Sequence, residues 1–143
     1  MLKSLAATFA AIWIAAGACH AEPDASLTVT VRKVSTRGGD LRLALYDRAH
    51  WDNDDAPPVK DEVVAAHAPE TSVMFQGLKP GIYGLKMFQD VNRNARFDFT
   101  WLGLPDEKYG FSRDAPAMFG SPAFDRTKFT LLPGPNAIVI HLR

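Results

Sequence analysis

Phe75-Gln76-Gly77-Leu78-Lys79-Pro80-Gly81-Ile82-Tyr83 decides the fold. Strand-like residues lie on both sides of a Pro-Gly turn, and a Tyr stands two residues beyond the turn glycine. That spacing predicts a tyrosine corner, in which the phenol reaches back to the backbone just upstream. A plain hairpin turn with a half-buried Tyr is the alternative. Corners of this kind belong to antiparallel sandwiches, so the flanking sequence is read for short strands.

It supplies them. Leu27, Val29 and Val31 alternate with Thr28, Thr30 and Arg32, the period of a half-buried strand. Gly38-Gly39-Asp40 makes a turn, and Leu41, Leu43 and Leu45 then alternate with Arg42, Ala44 and Tyr46, which predicts a hairpin partner for the first strand. Residues 62–66, 72–75, 82–89, 129–132 and 137–142 read as further short strands, with Pro133-Gly134-Pro135-Asn136 as a turn. No window of useful length has a helical period. The pattern predicts an all-β fold, an antiparallel Ig-like or prealbumin-like β-sandwich of about seven strands with one long aromatic-rich loop.

Composition agrees. The 143 residues hold 16 Lys+Arg and 16 Asp+Glu, with 47% hydrophobic residues. That excludes an extended disordered chain and a polytopic membrane protein. Without a basic excess, nucleic acid is not an expected partner.

Residues 1–21 read as a cleavable signal peptide. Lys3 precedes an apolar run over residues 5–18, too short to span a bilayer comfortably, and small residues lead up to Ala21. Cleavage after Ala21 is the favoured cut. A cut before Cys19 would make a lipoprotein, but Ala16 stands where a lipobox prefers Leu. Residues 22–143 then form a single periplasmic or secreted domain with no transmembrane segment. The favoured cut also removes the only cysteine, so no disulfide is available and the fold needs a real core, a bound metal, or both.

Residues 90–127 lack a clean strand yet are rich in rings: Phe97, Phe99, Trp101, Tyr109, Phe111, Phe119 and Phe124. A connection this long and apolar is expected to fold compactly over one end of the sandwich. The sharper reading is a pocket lined by rings from residues 97–124, which would take a small molecule, a glycan or an envelope protein.

The start of this segment is Asp90-Val91-Asn92-Arg93-Asn94-Ala95-Arg96-Phe97-Asp98. Asp90, Asn92, Asn94 and Asp98 fill positions 1, 3, 5 and 9 of an EF-hand-type calcium loop, with the Arg96 carbonyl at position 7. Ala95 stands where glycine normally turns the loop, and Trp101 where the bidentate Glu belongs. An Asx-turn loop without an ion is the other reading of the same residues.

Asp52, Asp54 and Asp55 form a second acidic cluster near Asp47. A solvated loop explains it, and His50 could extend it to a zinc site. Strand alternation puts this loop at the opposite end of the sandwich from Asp90, and one further strand between residues 58 and 72 would bring the two together. No Gly-x-Ser-x-Gly, no His-x-x-x-His and no phosphate loop is present. A non-catalytic exported protein is therefore expected. The alternatives are a metal-dependent hydrolase using Asp90, Asp98 or Glu107, and a binding module using the aromatic loop.

Several stretches together resemble a known bacterial secreted family. They are Leu41-Arg42-Leu43-Ala44-Leu45-Tyr46-Asp47, Leu78-Lys79-Pro80-Gly81-Ile82-Tyr83, Phe88-Gln89-Asp90-Val91-Asn92-Arg93-Asn94, the run from Leu102 through Ser112, and Phe119-Gly120-Ser121-Pro122-Ala123-Phe124. This set, in this order, is similar to the domain of unknown function 2141. The resemblance spans nearly all of residues 22–143. It implies export and a small β-sandwich, and no established reaction or ligand. Ala95 departs from the glycine that the family typically carries there.

Overall fold

A computed structural model describes residues 24–143; the signal-peptide reading of residues 1–21, with Cys19, falls outside them. Among the described residues eight strands run in chain order: β1 (Ala25–Arg32), β2 (Asp40–Tyr46), β3 (Lys60–Ala65), β4 (Glu70–Leu78), β5 (Gly81–Asp90), β6 (Tyr109–Phe111), β7 (Phe129–Leu131) and β8 (Gly134–His141). A single 3₁₀ turn (Ser112–Asp114) and a one-turn helix, α1 (Phe124–Thr127), interrupt them.

The strands form two sheets, β4-β1-β8 and β3-β2-β5-β6, with β7 on the remaining length of β5. Alternation sets which side chains meet between them. Leu27, Val29 and Val31 of β1 face Leu41, Leu43 and Leu45 of β2 and Leu85 and Met87 of β5 in one shared core. Burying these aliphatic side chains contributes roughly 1.5–3 kcal/mol each before chain entropy is counted. The fold is the β-sandwich that the alternation predicts.

The tyrosine corner is present. Tyr83 is buried, and its hydroxyl donates to the Lys79 carbonyl at 2.8 Å. This tie fixes the turn that feeds β5, the strand at the centre of the larger sheet.

Four expectations need correction. First, β1 and β2 do not pair as a hairpin. β1 pairs β4 and β8, while β2 pairs β3 and β5. Residues 33–39 cross from one sheet to the other, with Val34 buried in the core on the way. Gly39 has φ +82°, and a Cβ there would meet the Asp90 carbonyl oxygen at 2.2 Å, so only glycine allows this close approach. Second, β1 and β8 run parallel. Alternation reports the face a residue lies on and is blind to chain direction. Third, residues 90–127 hold β6, which pairs with β5 through Lys86↔Phe111 and Phe88↔Tyr109. Fourth, these residues do not form a single cap over one end of the sandwich. Tyr109 and Asp114 bond to Arg143 and His141 beside β8 of the other sheet, and with β6 fixed beside β5 residues 97–121 fold across the outer face of the larger sheet.

A second apolar cluster forms there, away from the main core: Trp51, Phe111, Ala115 and Phe124. Among the described residues no helix is long and apolar enough to cross a membrane.

Candidate functional site

The outer face of the larger sheet is set by strand register. Val63, Arg42, Phe88 and Tyr109 form one row across β3, β2, β5 and β6, and Asp61, Ala44, Lys86 and Phe111 form the next. Beyond them lie Tyr46 and Gly84. An aqueous face would be polar, yet this one carries Val63, Phe88, Tyr109 and Phe111.

Two loops rise over it. Residues 47–59 bring Trp51 down onto Gly84. Trp51 is fully buried and donates its indole N–H to the Pro122 carbonyl at 2.8 Å. It stacks edge-on with Tyr46, Phe111 and Phe124, tying the two loops to the sheet. At the opposite end, Phe97 packs against Phe88, Phe99 and Tyr109 at centroid distances of 5.6, 4.9 and 5.6 Å.

Between these two anchor points the loops stand away from the sheet. They leave an open groove of about 1000 Å³, with Ala44, Lys86 and Phe88 on its floor and Phe97, Phe99, Leu104 and Phe119 on its walls. A volume of this size suits a small organic molecule. Phe119 is fully exposed at φ +59°, and Phe99 is 57% exposed. A bulky side chain held in the left-handed region and packed against nothing marks a position whose rationale lies outside the folded core. Phe124 is not part of the lining; it is buried with Trp51. Trp101 is exposed at the tip of the turn beside the groove.

Two cations line the floor. Arg42 Nε lies 2.6 Å from Asp90 Oδ2. Lys86 Nζ donates to the Trp51 carbonyl at 2.9 Å and sits 5.0 and 4.7 Å from the Tyr46 and Trp51 ring centres.

The 90–98 loop closes the end of the groove that carries Phe97. The structure brings four of the five proposed ligands together. Asp90 is buried; its Oδ1 accepts from the Asn94 N–H and its Oδ2 from the Ala95 N–H as well as from Arg42. The Asn92 and Asn94 carboxamides both donate to Asp98 Oδ2, at 2.7 and 2.8 Å. Arg96 contributes its N–H to Asn94 Oδ1. Ala95 has φ +62°, the left-handed turn that position 6 of such a loop requires. Burial pushes the Asp90 carboxyl up, but the Arg42 guanidinium and the two backbone N–H groups outweigh it and hold the group below the usual carboxylate range.

Glu107 is the residue that sequence reasoning misjudged. It enters the sequence reading as a carboxylate that a hydrolase could use, yet Glu107 is buried as a structural acceptor. Its two oxygens accept from the Val91 N–H at 2.8 Å and the Asp98 N–H at 3.2 Å, pinning both ends of the loop. Nothing in the spacing of residues 91, 98 and 107 signals this, because the contact depends on where β6 docks.

The acidic loop at residues 52–55 lies at the opposite end of the sheet from Asp90, because β2 and β5 are antiparallel with Tyr46 opposite Gly84 and Asp40 opposite Asp90. It shares the groove all the same: Asp54 lines it, 3.7 Å from Lys86 Nζ. His50 pairs with Asp47 and His141 with Asp114. Among the described residues, no group of three or more His, Cys, Asp or Glu side chains is placed to hold a metal ion.

Residues 29–139 match a family described as an uncharacterized protein conserved in bacteria (DUF2141). The chain belongs to that family. The matched stretch runs from β1 into β8 and so includes the groove and the 90–98 loop. No curated protein and no solved structure matches the chain.

Proposed function

We propose that this member of the family is an exported, non-catalytic binding protein that holds a small, largely apolar molecule in the groove between the outer sheet face and residues 97–120. The observation that carries this reading is the aromatic wall. Phe99 and Phe119 line the groove and bury little in the folded chain. Exposing them in water is unfavourable, and a ligand that covers them recovers that hydrophobic free energy.

The test is a titration with the neutral fluorescent probe N-phenyl-1-naphthylamine. Saturable binding is expected, weakened about tenfold when Phe99 and Phe119 are both changed to Ala, at roughly 1.4 kcal/mol for the lost contact. Phe119 packs against nothing and Phe99 touches only Phe97 among the rings, so the variant should lose no more than about 1 kcal/mol of stability and stay folded. Absence of saturable binding, or equal affinity in the variant, would reject the reading. Export is tested separately, by the intact mass of the protein recovered outside the cytoplasm. Mass corresponding to residues 22–143 supports cleavage after Ala21; a retained residue 1 or a lipid on Cys19 does not.

A second reading keeps calcium at Asp90, Asn92, Asn94, the Arg96 carbonyl and Asp98. The left-handed Ala95 favours it. Against it stand Arg42, which already neutralises Asp90, and the two carboxamides, which turn their N–H₂ groups toward Asp98. Calcium would require both amides to present oxygen instead. Melting in about 2 mM calcium and in chelator decides the matter. A site with Kd on the order of 10⁻⁴ M raises stability by roughly 1.8 kcal/mol. Coincident curves would remove this reading and leave the groove untouched.

A further inference from the structure

The charges along the groove indicate which apolar molecules it accepts. Five charged residues line it: Arg42, Lys86, Asp54, Asp61 and Glu62. The two positive ones are occupied. Arg42 is committed to the buried Asp90 carboxylate, and Lys86 is held by the Trp51 carbonyl between the Tyr46 and Trp51 rings. The negative ones on this face are less committed. Asp61 joins no ion pair among the described residues, Asp54 is 96% exposed and forms only a long pair with Lys86 at 3.7 Å, and Glu62 stands opposite the core residue Leu43, turned from the groove face. Asp61 faces the groove across the small side chain of Ala44, in the same row as Lys86 and Phe111. The groove thus has an aromatic wall and, away from it, the unpaired Asp61 carboxylate and the solvent-exposed Asp54, which only Lys86 approaches.

We infer that the occupant is an amphiphilic organic cation, its apolar body against Phe97, Phe99 and Phe119 and its positive group toward Asp54 and Asp61. Aromatic faces and carboxylates both attract a weakly hydrated cation. The floor already shows the arrangement in miniature, since the Lys86 ammonium rests on two rings beside Asp54. The Tyr46 phenol, raised above its ordinary value first by burial and then by Asp54 and Asp61, is consistent with a negative field at the floor. An anionic amphiphile would meet these carboxylates and find both cations engaged.

This inference rests on the groove being a binding site, and the experiment separates the two. Calorimetric titrations of decyltrimethylammonium, decanol and decanoate, each below its micelle concentration and at about 0.15 M salt, compare one apolar body with three head groups. The cation should bind about fivefold more tightly than the alcohol, and decanoate more weakly than either, as expected for a partly screened contact with two carboxylates. Asp54→Asn with Asp61→Asn should remove the cation's advantage and leave decanol unchanged. Decanol binding as tightly as the cation, decanoate binding most tightly, or a preference that survives the double variant would each overturn the cationic ligand while the groove stands. Failure of all three to bind would overturn both.

Discussion

Arg42 Nε lies 2.6 Å from Asp90 Oδ2, and this pair joins the outer face of the sheet to the loop that ends it. The carboxylate is wholly buried while Arg42 is partly exposed. Asp90 also caps the turn at residues 94–95, so the pair sets the position of Phe97 and with it one wall of the groove. Replacing one partner of a buried pair leaves the other uncompensated. Asp90→Asn is expected to cost about 2–4 kcal/mol of stability in urea unfolding.

The same pair gives a pH dependence with a defined sign. Asp90 is held below its ordinary value in the folded chain, so the unfolded chain binds its proton more readily. The stabilisation is complete above the ordinary carboxylate range, near pH 4, and is lost as pH falls through the lower folded value. Stability measured from pH 6 down to pH 2 should fall in the parent. The fall should be shallower in Asp90→Asn, and equal slopes would contradict this account of the pair.

Gly84 provides a steric test of how the second cluster is built. A Cβ there would meet Trp51 Cζ3 at 2.7 Å and Thr127 Oγ1 at 2.9 Å. Trp51 is enclosed on every side, so Gly84→Ala should destabilise the protein by about 1–3 kcal/mol. Its near-ultraviolet circular dichroism should change as the indole shifts. An unaffected melting curve would mean that Trp51 does not sit on the sheet.

Glu107 tests the loop without touching the groove lining. Glu107→Ala leaves the Val91 and Asp98 N–H groups without their acceptor. The expected cost is about 2 kcal/mol, together with faster amide exchange at residues 91 and 98. Glu107→Gln retains one acceptor oxygen and should fall between the two. Protection at residues 91 and 98 that is unchanged in Glu107→Ala would contradict the role given to this side chain.

Much of the fold was legible in local pattern, because alternation is a local property. The positions of the β2, β4 and β5 strands follow from it, and the tyrosine corner follows from the equally local spacing of Gly81 and Tyr83. Pairing and direction are not local. The β1–β2 hairpin failed because residues 33–39 span the two sheets instead of turning within one. β6 was missed because three residues, Tyr109–Phe111, are too few to show a period. Asp90, Asn92, Asn94 and Asp98 could be recognised as a converging set from their spacing. Arg42 and Glu107, which fix that set, lie 48 residues before Asp90 and 9 residues after Asp98 in sequence, and only the tertiary fold brings them in. The groove itself lies between elements that the sequence presents as unrelated, a strand face and two loops.

The most direct test of the central claim is to locate a neutral apolar ligand by nuclear magnetic resonance. With N-phenyl-1-naphthylamine added to isotopically labelled protein, intermolecular contacts and saturable shifts should fall on Ala44, Phe88, Phe97, Phe99, Leu104 and Phe119. Thr28, Thr30 and Val139, on the outer face of the other sheet, should stay still. Shifts centred on that other sheet, or none that saturate, would contradict the assignment of the groove as the binding site.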